Sequence, residues 1–381
     1  MRVYKEKSVF EESLDRIRYL FDEFEDIYVS FSGGKDSTVV FELAKIVARE
    51  KGRLPLKVVF LDQEAEYQST IDLVTQVMYD EEVEPYWLQV PIKLFNATSR
   101  DSDWLYCWKE GEEWMREKDP ISIKENIWGT DRFAEFFLHF MDKEAKRTGK
   151  TACYLTGVRA EESPSRLMGL TQEPTYKWVT WGKKNKFNKN VFSFHPIYDW
   201  SYLDIWKAIH DNNWNYCAIY DAQYSYGVKI QDMRVSNLHH ETAIHHLFIL
   251  QEVEPDTYQR LTERIKGVDT AGKLGKEDYY IHELPFMFKD WKEYRDYLLE
   301  NLIDEEKQPI FRKRFNALDK KFLICVKPES LYKTQIQSIL ANDYHGTKLE
   351  NAVKGKWTLQ LRDYKRELAK REMAKREAGS E

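Results

Sequence analysis

Residues 28–44 read Tyr-Val-Ser-Phe-Ser-Gly-Gly-Lys-Asp-Ser-Thr-Val-Val-Phe-Glu-Leu-Ala. An apolar run from Ile27 to Phe31, a polar glycine turn from Ser32 to Ser37 and an amphipathic stretch from Thr38 predict a strand, a tight turn and a helix in succession. Adjacent glycines at 33 and 34 admit backbone conformations that a Cβ would forbid. Free N–H groups of such a turn, and of the helix it opens, converge on one concavity and favour an anion there. Ser32, Ser37 and Thr38 add hydroxyl donors and Lys35 a positive charge. Phosphate is the expected guest.

The pattern is not Gly-x-x-x-x-Gly-Lys-Ser/Thr, because the two glycines touch and Asp36 follows the lysine. Ser-Gly-Gly-Lys-Asp-Ser at 32–37 instead resembles the pyrophosphate loop (PP-loop) of the adenine nucleotide α-hydrolase superfamily. That superfamily includes ATP pyrophosphatases, the small subunit of ATP sulfurylase and phosphoadenosine phosphosulfate (PAPS) reductases. Two further stretches extend the resemblance. Thr151–Arg159, followed by Ala160-Glu-Glu-Ser-Pro-Ser-Arg166, is similar to the family's glycine-x-arginine turn with its acidic-serine stretch and later arginine. Gly157 permits close backbone approach there, and Arg159 can clamp a phosphate through two N–H groups. Val191–Trp206, with Asn215-Tyr216 and Tyr220-Asp221 beyond it, is similar to a third motif whose residues are expected to be structural. The three motifs, in order, span about residues 25–225.

Around these motifs the pattern repeats strand and helix. The Thr38–Glu50 helix leads to a strand at Lys57–Leu61, and such a βαβ unit implies a parallel pair with a right-handed crossover. Asp62 follows at that strand's carboxyl end, where open α/β sheets bind ligands. It is a candidate for magnesium or a ribose hydroxyl, or equally an acid at the next helix start. Strands are expected again at Tyr86–Pro91, from Thr151 and from Val191. Ser8-Val-Phe-Glu11 is a capping box for a scaffold helix ahead of the first strand. Phe95–Trp128 shows no periodicity and is expected to line the site mouth. Phe133, Phe136, Phe137, Phe140 and Met141 form the core stripe of another helix. The expected architecture is a doubly wound, mostly parallel five-stranded α/β domain over residues 1–230. A mainly helical domain follows over 231–381.

Composition limits the function classes. The 381-residue chain has a net charge of -6 and 14% aromatic residues, so it is globular and not broadly basic. No apolar run reaches membrane-span length and Met1–Lys5 lacks a signal-peptide core, which makes a cytoplasmic location the expectation. Tyr176–Asn190 has five lysines, four aromatics and no acid. It can hold a nucleotide tail or single-stranded nucleic acid by charge and stacking, although a solvated loop explains it at least as well. Lys354–Glu377 carries nine Lys/Arg against four Asp/Glu, and Trp357, Leu361, Tyr364 and Leu368 make a docking seam. A solvated helix end is favoured there over nucleic-acid binding. His239 and His246, two helical turns apart, are a conceivable metal pair, with partner-facing or solvated histidines the more ordinary explanation.

Cys107, Cys153, Cys217 and Cys325 form no Cys-x-x-Cys pair, which argues against an iron–sulfur cluster or a structural zinc. The PAPS reductases use a nucleophilic cysteine near the C-terminus. Here Cys325 is the last cysteine and lies between apolar neighbours, so thiol-dependent sulfonucleotide reduction is not expected. The resemblance implies instead an adenine nucleotide bound through Ser32, Gly33, Gly34, Lys35, Asp36, Ser37, Asp62, Gly157, Arg159 and Arg166. It implies ATP cleaved between the α and β phosphates, or an adenylyl sulfate compound as ligand. Lys35, Asp36 and Arg159 are the catalytic candidates, and Asp36 and Asp62 the magnesium candidates. The C-terminal layout resembles the phage and bacterial immunoglobulin-binding regulator A group, which implies a ParB-like partner. A nucleotide sensor with little turnover is the alternative to an enzyme.

Overall fold

A computed structural model describes residues 6–95, 104–171, 175–235, 237–239, 247–265, 268, 283–340, 343 and 346–378. The strand, turn and helix at the centre of the sequence form with one shift. Strand β1 (Asp26–Ser30) is followed by a helix that begins already at Lys35, not at Thr38. Gly34 takes the cap position. Its carbonyl accepts the Thr38 N–H at 3.0 Å, the Ser37 hydroxyl at 2.8 Å and the Thr38 hydroxyl at 3.1 Å. Asp36 therefore sits in the first turn, where a carboxylate favours the positive end of the helix dipole.

Helix α1 (Val9–Glu23) precedes β1 and is closed by the Ser8–Glu11 capping box. Helix α2 (Lys35–Glu50) leads to β2 (Leu56–Leu61), then α3 (Gln68–Met78) to β3 (Val83–Leu88). A short antiparallel pair follows, β4 (Ile92–Phe95) with β5 (Trp104–Cys107). Of this pair, β5 lies inside the stretch whose sequence shows no periodicity, and β4 ends where that stretch begins. Helix α4 (Phe133–Thr148), β6 (Ala152–Leu155), α5 (Pro164–Thr171), β7 (Gly182–Lys184) and β8 (Val191–Phe194) come next.

The main sheet has the order β3-β2-β1-β6-β8-β7. Five of its strands run parallel and β7 closes the edge antiparallel to β8. The chain builds outward from β1 to β3, then returns to the other side of β1 for β6 and β8. Such a reversal opens a crevice at the strand carboxyl ends, and the Ser32–Ser37 turn sits at its head. The parallel strands are buried on both faces, as their near-continuous apolar composition requires. Tyr28 stacks on Tyr154 at 4.7 Å, with Phe140 of α4 edge-on to both. In the expected stripe of α4, Phe136 and Phe140 are fully buried while Phe133 stays 39% exposed.

The Tyr176–Asn190 stretch is not a free loop. Its middle forms β7, Lys177 pairs with Glu23 at 2.6 Å, Tyr176 donates to the same carboxylate, and Trp178 packs on Tyr19. Helix α6 (Tyr202–Asp211) carries the Ser201–Asp204 capping box, and α7 (Ile219–Ser225), α8 (Leu247–Val253) and α9 (Pro255–Arg264) complete the layer. The first compact unit takes in residues 1–95 and 104–265, running past residue 230. Glu254 explains part of this, since its carboxylate caps α3 through the Gln68 and Ser69 N–H groups at 2.6 and 3.0 Å.

In the second unit, residues 96–103 and 266–381, the regular elements among the described residues are all helices. Arg295 is buried in it between Asp319 and Gln335, and Phe322, Val326, Leu331 and Trp357 form an apolar cluster. The predicted seam of the last helix docks only at its beginning. Trp357 is 1% exposed and Leu361 packs beside it, but Tyr364 and Leu368 are 37% and 43% exposed.

Candidate functional site

The Ser32–Ser37 turn is braced from inside. Gly33 has a φ of +69°, and a Cβ there would come within 2.7 Å of Thr70 on α3. The Ser37 hydroxyl accepts the Ser32 N–H at 3.1 Å and lies 3.0 Å from the Ser32 hydroxyl. Residues 35–37 form the first turn of α2, where N–H groups have no partner within the helix and point outward. One of them is engaged. The Lys35 N–H donates at 3.0 Å to the Tyr220 hydroxyl of α7, whose proton is secured by complete burial. The Lys35 ammonium is also buried, donating to the Met233 carbonyl at 3.2 Å and pairing with Asp36 at 3.2 Å.

The turn after β6 locks onto this loop. A Cβ on Gly157 would lie 2.8 Å from both the Asp36 carbonyl carbon and the Ser37 nitrogen, so only glycine fits against that backbone. Two residues on, Arg159 is 5% exposed and its Nε donates to Asp36 Oδ1. Its Nη1 donates to Glu161 at 3.1 Å. Ser32, Gly33, Gly34, Lys35, Asp36, Ser37, Gly157 and Arg159 thus converge as expected. The guanidinium enters as the ion-pair partner of Asp36 rather than as a free clamp. Arg166 is not part of this group. It is 43% exposed on α5 and pairs with Glu162.

Asp62 takes a different role from the one its position suggests. Its carboxylate is fully buried, and both oxygens are saturated. Oδ1 accepts the Glu64 N–H and Arg116, while Oδ2 accepts the Trp87 indole N–H and the Gln89 amide, each at 2.9 Å. Four donors occupy the four lone-pair positions of a carboxylate. Asp36, for its part, is taken by Arg159 and Lys35. Asp62 presents no free oxygen, whereas each oxygen of Asp36 has a single partner and the side chain is 20% exposed, so Asp36 alone of the two keeps room for a further ligand. Among the described residues no cluster of three or more metal-ligating side chains occurs. His239 is buried, and His246 lies outside the described residues.

Asp62 belongs to a buried acidic run that the sequence did not single out. Glu64, with φ +65°, accepts from the Trp108 N–H at 2.9 Å, the Met115 N–H at 3.2 Å and Arg264 of α9 at 2.6 Å. Glu66 receives the Asn237 amide, and burial followed by the nearby Asp62 charge pushes its pKa up to about 8. Arg116 and Arg264 thus bind the irregular insertion and α9 to the end of β2. Tyr220, Glu64 and Arg264 act through contacts more than 150 residues apart in sequence, which no local motif can report.

All four thiols are held toward the neutral form. Burial raises Cys107 and Cys153 well above the ordinary thiol value, and raises Cys217 and the partly buried Cys325 less far. Cys107 donates to the Gln63 carbonyl at 2.9 Å, in keeping with an intact S–H.

Residues 26–227, more than half of the chain, match the phosphoadenosine phosphosulfate reductase domain, and the chain belongs to that family. Residues 227–375 match a domain of unknown function, DUF3440. The chain is 26% identical over 324 residues to the uncharacterized protein YbdN of Escherichia coli (strain K12), covering 79% of this chain and 78% of YbdN. It is 29% identical over 195 residues to the uncharacterized protein MJ0973 of Methanocaldococcus jannaschii, covering 51% of this chain and 38% of that protein. Among solved structures, the PAPS reductase of Candida auris in a phosphate complex superposes with a TM-score of 0.31 at 13% identity, over 58% of this chain and 93% of that one. The FMN adenylyltransferase of Candida glabrata gives a TM-score of 0.34 at 16% identity, over 57% of this chain and 62% of that one.

Proposed function

We propose that the protein binds an adenine nucleotide at the Ser32–Ser37 loop and cleaves ATP between its α and β phosphates, transferring or releasing the adenylyl group. The observation that carries this reading is the braced loop at the head of α2. Its outward N–H groups, with Lys35 and Arg159 behind them, offer a preorganised site for a leaving pyrophosphate. Nucleophilic attack on the α-phosphorus breaks its bond to the bridging oxygen, and the pyrophosphate takes the electron pair into this concavity. Magnesium would arrive on the nucleotide's own phosphates, the usual habit of that ion.

Reduction of a sulfonucleotide needs an accessible thiolate, and burial works against one at each of the four cysteines. A nucleotide-sensing module with little turnover is the second reading. It draws on the internal engagement of Lys35 by Met233 and of Asp36 by Arg159, which leaves the charged groups of the loop committed before any ligand arrives.

The test is incubation of the whole protein with ATP or with PAPS, followed by assays for pyrophosphate with AMP and for sulfite. Pyrophosphate and AMP from ATP, with no sulfite from PAPS, is the expected result. Sulfite release dependent on any one of the four cysteines would overturn it. Tight nucleotide binding without either product would favour the sensor.

A further inference from the structure

Strand β7 and the turn after it form an open edge of the main sheet, since β7 pairs with β8 and has no second neighbour among the described residues. The Tyr176–Asn190 stretch carries five lysines and no acid in a chain of net charge -6. Lys177 is engaged by Glu23. Lys183, Lys184, Lys186 and Lys189 are exposed and enter no salt bridge among the described residues. In register, Lys183 stands against Ser193 and Lys184 against Phe192. Neighbouring side chains on a strand point to opposite faces, so cations stand on both rims of the edge. Two aromatic rings accompany them. Trp178 is 66% exposed beside Tyr19, and Phe187 is 45% exposed against His139 of α4.

Lysines within an exposed strand also blunt its edge against pairing with another chain, a task that Lys183 and Lys184 complete by themselves. Lys186 and Lys189 lie beyond the strand, on a turn pinned by two asparagines. Asn185 is 6% exposed; its amide donates to the Leu138 carbonyl at 3.0 Å and its oxygen accepts the Phe187 N–H at 2.8 Å. Asn188 donates to Asp142 at 3.1 Å and accepts the Asn190 N–H at 3.0 Å. Asp142 is already paired with Lys146, so this contact brings no free carboxylate to the turn. A merely solvated loop gains nothing from such bracing. A pinned backbone under four exposed cations lowers the ordering cost of binding an extended polyanion.

We infer that the β7 edge is a binding surface for single-stranded nucleic acid, with phosphates on Lys183, Lys184, Lys186 and Lys189 and bases stacked on Trp178 and Phe187. Cations interleaved with exposed rings are the chemistry that holds such strands without reading their sequence. An acidic peptide would use the lysines alone and leave both rings idle. A duplex keeps its bases within the stack, so it offers the rings nothing either. The surface is distinct from the Ser32–Ser37 loop, because three strand spacings, about 14 Å, separate β7 from β1 in the sheet. The inference goes beyond the nucleotide reading and does not depend on it.

Fluorescence anisotropy tests this, with the whole protein titrated into a labelled, mixed-sequence single-stranded DNA of about 20 bases at several salt concentrations. Four neutralised phosphates predict that log affinity falls against log salt with a slope of about -3, at about 0.7 for each phosphate. Lys186→Ala and Lys189→Ala should each flatten the slope by about 0.7. Changing all four lysines to alanine should abolish binding. Trp178→Ala and Phe187→Ala should each weaken binding about fivefold with the slope unchanged. The lysine variants alter exposed side chains only, so they should keep the wild-type melting temperature and ATP affinity. No binding at low salt would overturn the inference, as would binding that survives the loss of all four lysines. Duplex DNA or polyglutamate bound as tightly as the single strand would overturn it too. Protein that binds the strand but not ATP would sink the nucleotide reading and leave this surface standing.

Discussion

The backbone of Asp36 lies so close to Gly157 that a single added carbon on the glycine would come within 2.8 Å of the Asp36 carbonyl carbon. Two motifs separated by about 120 residues therefore meet as backbone against backbone. Neither side can yield cheaply, because the Asp36 end is helix α2 and the Gly157 end continues strand β6. Gly157→Ala should displace the phosphate loop without removing any group that touches a ligand. The expected result is ATP affinity weaker by about tenfold or more, roughly 1.4 kcal/mol, with a lowered melting temperature. Wild-type affinity and stability would mean that the contact relaxes freely.

The Asp36–Arg159 pair is predicted to be coupled. Arg159 is nearly buried, and removing either partner leaves Asp36 with Lys35 alone or Arg159 with Glu161 alone. Asp36→Ala and Arg159→Ala should each lose about 2–4 kcal/mol of stability, with the double variant well short of their sum. Denaturant unfolding of the three variants measures this. Additive losses would show that the two side chains act independently.

Tyr220→Phe tests what the hydroxyl does at the head of α2. It accepts the Lys35 N–H at 3.0 Å, one of the outward donors that a phosphate would use. Its removal should cost about 1 kcal/mol of stability while leaving ATP affinity unchanged or a few-fold tighter, since the donor becomes free. Affinity weaker by about tenfold would instead make the hydroxyl itself a ligand contact.

Glu66 predicts a pH dependence of stability. An unfolded glutamate titrates near 4.5, whereas burial and the charge of Asp62 raise the folded carboxyl to about 8. Between those values the native state binds the extra proton, so the contribution of Glu66 to stability falls as pH rises through that window. Glu66→Gln removes the titration and keeps an acceptor for Asn237. The variant should match wild type near pH 4.5 and be more stable by a few kcal/mol near pH 8, since each tenfold difference in proton affinity is worth about 1.4 kcal/mol. Stability curves that run parallel from acid to neutral pH would contradict this.

Much of this arrangement was legible in the chain itself, because local patterns write it. The doubled glycine between an apolar run and an amphipathic helix located the loop. Gly157 and Arg159 were readable from their place after a strand. The helix start was misplaced to Thr38, since Lys35, Asp36 and Ser37 are polar enough to pass for turn while Gly34 supplies the cap. The place of Asp62 at a strand end suits a ligand and a helix-start acid equally, yet its four donors come from Glu64, Trp87, Gln89 and Arg116, three of them brought in by the fold.

The most direct measurement of the central claim is calorimetric titration of ATP into wild-type, Gly34→Ala and Gly34→Val protein. Gly34 has an ordinary negative φ, and a Cβ there meets the Ser32 hydroxyl at 3.4 Å and the Tyr220 hydroxyl at 3.6 Å. Those are ordinary contact distances, so the fold should tolerate the added carbon, as the melting temperature will verify. The added bulk nevertheless narrows the space in which a phosphate must approach the N–H groups of the loop. Affinity should fall in steps from glycine to alanine to valine, with the valine variant at least about tenfold weaker. Folded Gly34→Val protein that binds ATP as tightly as wild type would contradict the assignment of this loop as the nucleotide site.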